Sequence, residues 1–122
     1  MSLPVIKVGN CLIATLTEEI GDQDGLDLQQ SINQRIEETS ATGVLLDISA
    51  LHTIDSFLGR VLNEITAGAR LLGADTVVAG MQPAVAMTLV ELGLPLRGVR
   101  SALDAERGLT MLGQHLNANR SR

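Results

Sequence analysis

The chain has 122 residues, 45% of them hydrophobic, with one Phe, no Trp or Tyr, one Cys and a net charge of −5. That size and apolar content suffice for one domain with a core of Leu, Ile, Val, Ala and Met, needing neither disulfides nor metals. Nine basic against fourteen acidic residues, a single lysine (Lys7) and no aromatic platform argue against sequence-independent binding to nucleic acid or anionic membrane.

No apolar run approaches the length of a membrane-spanning helix, and the N-terminus lacks the basic, hydrophobic and cleavage parts of a signal peptide. Cys11 stands alone in an apolar run, which excludes an intramolecular disulfide and reads as a buried thiol in a reducing compartment. A cytoplasmic location is the consistent expectation, with residues 1–122 as a single domain whose end, Asn117 to Arg122, is a frayed tail.

Pro4 to Val8 and Cys11 to Leu16 are β-type runs around Gly9-Asn10, which predicts a hairpin with an edge strand at Pro4. Gly21 to Gly25 is a turn cluster, and Asp22, Asp24 or Asp27 can cap the helix that follows. In that helix Leu28, Ile32 and Ile36 form one narrow apolar stripe, enough to cover one face of a sheet. Val44 to Ile48 reads as a central strand covered on both faces.

A polar turn then leads into a helix from Ser56 to about Leu72, stopped by Gly73. Thr76 to Ala79 is a further strand. Pro83 sits at the first position of a third helix, Ala84 to Leu92, which is apolar almost all round. Such a helix is enclosed or buries its second face against a partner. Leu96 to Val99 is the candidate last strand. Asp104 caps a final helix with Ala105, Leu109, Leu112 and Leu116 at 4, 3, 4 spacing, weakened by Gly108 and Gly113. The order β-β-α-β-α-β-α-(β)-α predicts an α/β fold, a mixed, mostly parallel sheet with four helices packed on it.

Around the second helix Leu58, Val61, Leu62, Ile65, Ala69 and Leu72 fall within about 140–240° of Ser56. Ser56 therefore faces solvent at a helix N-terminus, where unpaired N–H groups and the macrodipole favour an anion. Two readings fit it: a plain N-cap, or a regulatory phosphorylation site. Arg60, one turn on, lies on the same exposed face. It is either an ordinary solvated charge or a partner for a phosphate.

His52 and His115 have no Cys or His at ligand spacing, so no metal-ligand set is legible. Hydrolase elbows, phosphate-cradling loops and dinucleotide fingerprints are missing too, which points to neither a cofactor nor an enzyme. Asp47, at a strand end, either bonds local N–H groups or holds a cation with Asp55.

Val44-Leu45-Leu46-Asp47-Ile48-Ser49, then Ile54-Asp55-Ser56-Phe57-Leu58 and a helix, resembles the STAS domain of anti-sigma factor antagonists. With Gly80-Met81-Gln82-Pro83-Ala84-Val85-Ala86, Glu91-Leu92-Gly93, Leu96-Arg97-Gly98 and Gly108-Leu109, the likeness extends over the whole chain to the RsbS group of STAS-only stressosome subunits. The resemblance implies a STAS fold, self-association as a dimer or larger oligomer, and co-assembly with RsbR-type STAS paralogues. It further implies that an RsbT-type serine kinase binds at Asp55, Ser56, Phe57 and Arg60. That kinase phosphorylates Ser56 and is thereby released to activate a phosphatase.

Thr88 lies near a second phosphorylatable position of the paralogues, with a plain helix Thr as the simpler reading. No sensor domain is expected ahead of the STAS unit, which makes the chain a relay or scaffold element. Two other functions stay open: a simple anti-anti-sigma factor binding an anti-sigma kinase, and a module holding a nucleotide or lipid near Asp47 and Gly80.

Overall fold

The computed structural model describes residues 4–113; Leu116, His115 and the expected tail lie outside the described residues. The hairpin forms as expected, with β1 (Val5–Val8) antiparallel to β2 (Cys11–Thr15) across Gly9-Asn10. Then follow α1 (Asp22–Thr39), β3 (Gly43–Asp47), α2 (Ser56–Leu71) and β4 (Asp75–Ala79). The chain continues with α3 (Pro83–Glu91), β5 (Arg100–Ala102) and α4 (Ala105–Met111). The five strands lie in the order β1-β2-β3-β4-β5, parallel from β2 onward.

That sequential order has one consequence for the helices. Parallel strands joined by right-handed crossovers, each stepping to the next neighbour, place every crossover helix on the same face. The main core accordingly joins Leu28, Ile32 and Ile36 of α1, Val61, Leu62 and Ile65 of α2, and Val85 and Leu89 of α3 to the inward side of the sheet. Among the described residues α4 alone reaches the other face, where Leu109 closes a smaller core over Cys11, Leu45, Val77 and Ala79. β3 is therefore the central strand covered on both sides, and its Val44, Leu45 and Leu46 are fully buried.

Several elements differ from the reading of the sequence. The last strand is Arg100–Ala102, not Leu96 to Val99. Leu96 and Val99 pack against the main core from a turn in which Gly98 is left-handed at φ 72° and Val99 N–H donates to Leu96 O. Their apolar character serves a packed loop, and strand pairing begins after it. The cap of α1 is Gly21; Asp24 reaches back to accept from the Gly21 N–H at 3.2 Å.

In α2 the buried stripe ends at Ala69, leaving Leu72 48% exposed, and it widens toward Gly59 and Thr66. The reason is that α3 leans on that flank: a methyl group on Gly59 would lie 3.1 Å from Leu94 Cδ1 and 3.2 Å from Leu89 Cδ2. Asn63 locks the contact, donating from Nδ2 to both Gly59 O and Leu94 O at 2.9 and 2.8 Å. α3 itself is half open, with Met87 and Val90 63% and 68% exposed opposite buried Val85 and Leu89.

Gly108, read as a weak point of α4, is its contact point. A methyl group there would lie 2.4 Å from Leu45 Cδ1 and 3.3 Å from Val77 Cγ1, at the centre of the smaller core. Helix propensity alone makes Gly108→Ala stabilising by up to about 1 kcal/mol. Overpacking against the fully buried Leu45 reverses the sign, and we expect urea denaturation to show a loss of about 1–3 kcal/mol. A gain in stability would refute the close approach.

Candidate functional site

The site is the segment between β3 and α2, and its rigidity comes from the core beneath it. Ile48 N–H donates to Ala79 O at 2.9 Å, so the chain stays tied to β4 one residue beyond the strand. Leu51 and Ile54, which look like members of a polar turn in the sequence, are buried in the main core. They pin the loop at two points three residues apart. Asp47 Oδ1 accepts from Ser49 N–H at 3.0 Å, and Gln82 Nε2 donates to Ser49 O at 2.9 Å. Gly80, left-handed at φ 76°, lets the end of β4 pass Ser49; a methyl group there would fall 2.5 Å from Ser49 Cβ.

A second tie crosses to the β2–α1 loop. Glu18 Oε2 accepts from His52 N–H at 2.8 Å and lies 3.3 Å from His52 Nδ1. That directed N–H, joined by the imidazole, holds the Glu18 carboxyl below its ordinary 4.5, against the opposing effect of partial desolvation. Nothing in the spacing of Glu18 and His52 signals the pairing, because 34 residues separate them.

Asp55 is the N-cap of α2. Its backbone is extended (φ −102°, ψ 176°), and Oδ1 accepts from Leu58 N–H at 2.9 Å. Ser56 is the first helical residue; it is exposed, and among the described residues its hydroxyl has no hydrogen-bond partner. Of the two roles open to Ser56 in the sequence, capping falls to its neighbour. Both carboxylates considered for a cation, Asp47 and Asp55, already accept backbone N–H groups.

Arg60 is exposed one turn beyond Ser56 and makes no ion pair among the described residues. Phe57 is only half open: it packs on the main core, with its ring beside Gly25 of α1. Thr88 donates its hydroxyl to Ala84 O at 2.9 Å, as a plain helix threonine does.

α1 and α2 run side by side in the same direction, since Gly25 meets Val61 and Gly68 meets Asn33. Their N-termini therefore lie together at the C-terminal end of the sheet. Between them is a cleft of about 220 Å³, floored by Ile20, Leu51, Ile54 and Leu58 and edged by Glu18 and Asp55. Among the described residues no helix is long and apolar enough to cross a membrane.

The STAS domain model matches residues 2–97, a span that runs from β1 to the turn before β5 and includes the whole Asp55-Ser56 loop. The chain belongs to the STAS family. A serine-to-glutamate variant of RsbS from Moorella thermoacetica superposes with a TM-score of 0.83 at 39% identity, over 91% of this chain and 94% of that one. A chain of the solved stressosome, described as a signal integration and transduction hub, gives 0.81 at 40% identity over 90% and 96%. Among curated relatives, the RsbT co-antagonist protein RsbRD of Bacillus subtilis is 24% identical over 93% of this chain, which spans only 41% of that protein's length. The STAS fold of RsbS and of anti-sigma factor antagonists is thus the architecture that holds Ser56.

Two measurements test this geometry. Asp55→Ala removes a cap bond and should cost about 0.5–2 kcal/mol in urea denaturation, while Ser56→Ala stays within about 0.5 kcal/mol of wild type. Equal losses would make Ser56 a structural residue. For Glu18, a lowered pKa in the folded state means that the tie is at full strength above 4.5 and is lost as pH falls through the folded value. In an NMR titration the His52 amide should shift with a midpoint below 4.5 and lose that transition in Glu18→Gln. A midpoint at or above 4.5 contradicts the bond.

Proposed function

We propose that the chain is a non-catalytic phospho-switch and scaffold of a stress-signalling assembly, which holds an RsbT-type serine kinase and releases it when Ser56 is phosphorylated. The observation that carries this reading is the division of labour at the start of α2: Asp55 caps the helix, so Ser56 is presented at a fixed place with its hydroxyl unbonded among the described residues. The 39–40% identity to RsbS and to a stressosome chain supports the assembly side of the reading. RsbR-type STAS paralogues are its proposed co-subunits and a phosphoserine phosphatase its resetting partner.

Phosphorylation adds about −1.5 to −2 charges beside Asp55. The helix N-terminus offsets about 0.3–1 kcal/mol of the repulsion and Arg60 about 0.2–1 kcal/mol at exposed sites, so the fold survives. The surface does not stay the same. A neutral hydroxyl between Asp55 and the half-open ring of Phe57 becomes a dense anion, and a partner docked there without a compensating cation is expelled by repulsion and desolvation. Because the loop is pinned by Leu51, Ile54 and Glu18, the charge cannot swing away to relieve the contact.

The test is capture of the RsbT-like kinase of the same organism by wild-type protein, Ser56→Ala and Ser56→Asp, with mapping of the phosphate. Wild type and Ser56→Ala should hold the kinase, Ser56→Asp should hold it at least about tenfold more weakly, and label should appear on Ser56 with none on Thr88. Capture of an anti-sigma kinase in its place moves the protein to the simple anti-anti-sigma class. Indifference of both kinases to all three proteins ends the switch reading.

A further inference from the structure

The cleft beside Asp55 has two walls of unequal firmness. One is drawn from the β2–α1 loop, residues 17–22, and the other from the loop and first turn of α2, residues 51–58. The first wall is fixed at both ends: Leu16, fully buried, donates its N–H to Asp47 O at 3.0 Å, and Ile20 packs on the main core with its N–H on Thr17 O at 3.3 Å. Glu18 stands on the turn between them, so its carboxylate projects from a firm base.

The second wall is pinned from below by Leu51 and Ile54, with His52 and Thr53 exposed between the pins. The hydrogen bond that holds this exposed pair comes from the opposite wall: His52 N–H donates to Glu18 Oε2 at 2.8 Å. The imidazole adds a contact to the same oxygen at 3.3 Å. Glu18 is thus a strut between two loops, joining residues 34 positions apart. Asp55 and Phe57, both assigned above to the kinase surface, line this cleft, so a protein docked on them meets both walls.

We propose that Glu18 is a positioning residue for the phosphorylation of Ser56: through its bond to the His52 backbone it holds the two walls at the spacing that the kinase recognises. This role rests on the switch reading above and adds to it a residue from a different loop. Without the bond, His52 and Thr53 turn to water, and the kinase has to order them as it binds. That cost falls on recognition and not on phosphoryl transfer, so it raises KM and leaves kcat alone. The strut needs an acceptor more than a charge: Gln keeps a carbonyl oxygen for the His52 N–H, while Ala has none. Because the bond goes to the backbone, it also survives loss of the imidazole.

The experiment is steady-state phosphorylation by the RsbT-like kinase of the same organism, with wild type, Glu18→Ala, Glu18→Gln and His52→Ala as substrates. Amide hydrogen exchange is followed on the same four proteins. Glu18→Ala should raise KM about three- to tenfold with kcat within about twofold, an unchanged circular dichroism spectrum and faster exchange at the His52 amide. Glu18→Gln and His52→Ala should stay within about twofold of wild type in KM. Added to Ser56→Ala, the Glu18→Ala change should weaken capture of the kinase by a similar factor.

A KM unchanged by Glu18→Ala, or a loss confined to kcat, overturns the proposal even if the His52 amide exchanges faster, since the bond is then structural only. Glu18→Gln as poor as Glu18→Ala makes Glu18 a direct charge contact with the kinase. His52→Ala as poor as Glu18→Ala gives the role to the imidazole. Either result overturns positioning through the backbone bond. Label on Ser56 with all four proteins alike keeps the switch and removes the strut, whereas an unlabelled wild type ends the switch and this role with it.

Discussion

Right-handed crossovers between strands that follow one another across the sheet decide most of what is distinctive in this molecule. Because β2, β3, β4 and β5 are neighbours in sequence order, α1, α2 and α3 have only one face on which to pack. The helices on that face start at the C-terminal end of the parallel strands, which brings the first turns of α1 and α2 together around the cleft beside Asp55. Among the described residues the opposite face is left to α4, seven residues long, and its close approach depends on the absence of a side chain at Gly108. Topology, not any single contact, thereby creates a crowded end with the candidate site.

At the crowded end the chemistry is divided between adjacent residues. A helix needs an acceptor for its first free N–H groups, and Asp55 supplies it with a carboxylate oxygen. Ser56 is released from structural duty. A residue without a structural role can change charge without unfolding its support, as the proposed switch requires. The support is redundant: Leu51 and Ile54 anchor the loop from below, Glu18 from the α1 side and Gln82 from the α3 side. In the proposed switch, a change of charge at Ser56 would be presented to a partner and would not be absorbed by motion of the loop.

Charge is distributed as unevenly as packing. The segment from β1 through α1 holds seven of the fourteen carboxylates, while the stretch from Glu91 to Arg107 is balanced. Burial in the smaller core beneath α4 raises the Cys11 thiol above its ordinary 9.0.

Periodicity and capping chemistry alone determined the element order, the parallel core of the sheet and the outward direction of Ser56, because these depend on residues within a few turns of one another. The stripe of Leu28, Ile32 and Ile36 and the stop at Gly73 are legible for that reason. What depended on meetings across the chain was not. Leu51 and Ile54 look like turn residues until the core closes beneath them, and Leu96 and Val99 look like a strand until the turn at Gly98 packs them against the main core. Glu18 finds His52, Gln82 finds Ser49 and Asn63 finds Leu94 at separations of about thirty residues, and no local pattern encodes such pairs. Even the choice between Asp55 and Ser56 as cap needed the tertiary fold. Both residue types cap helices equally well, and only the loop pinned by the core fixes which oxygen reaches the Leu58 N–H.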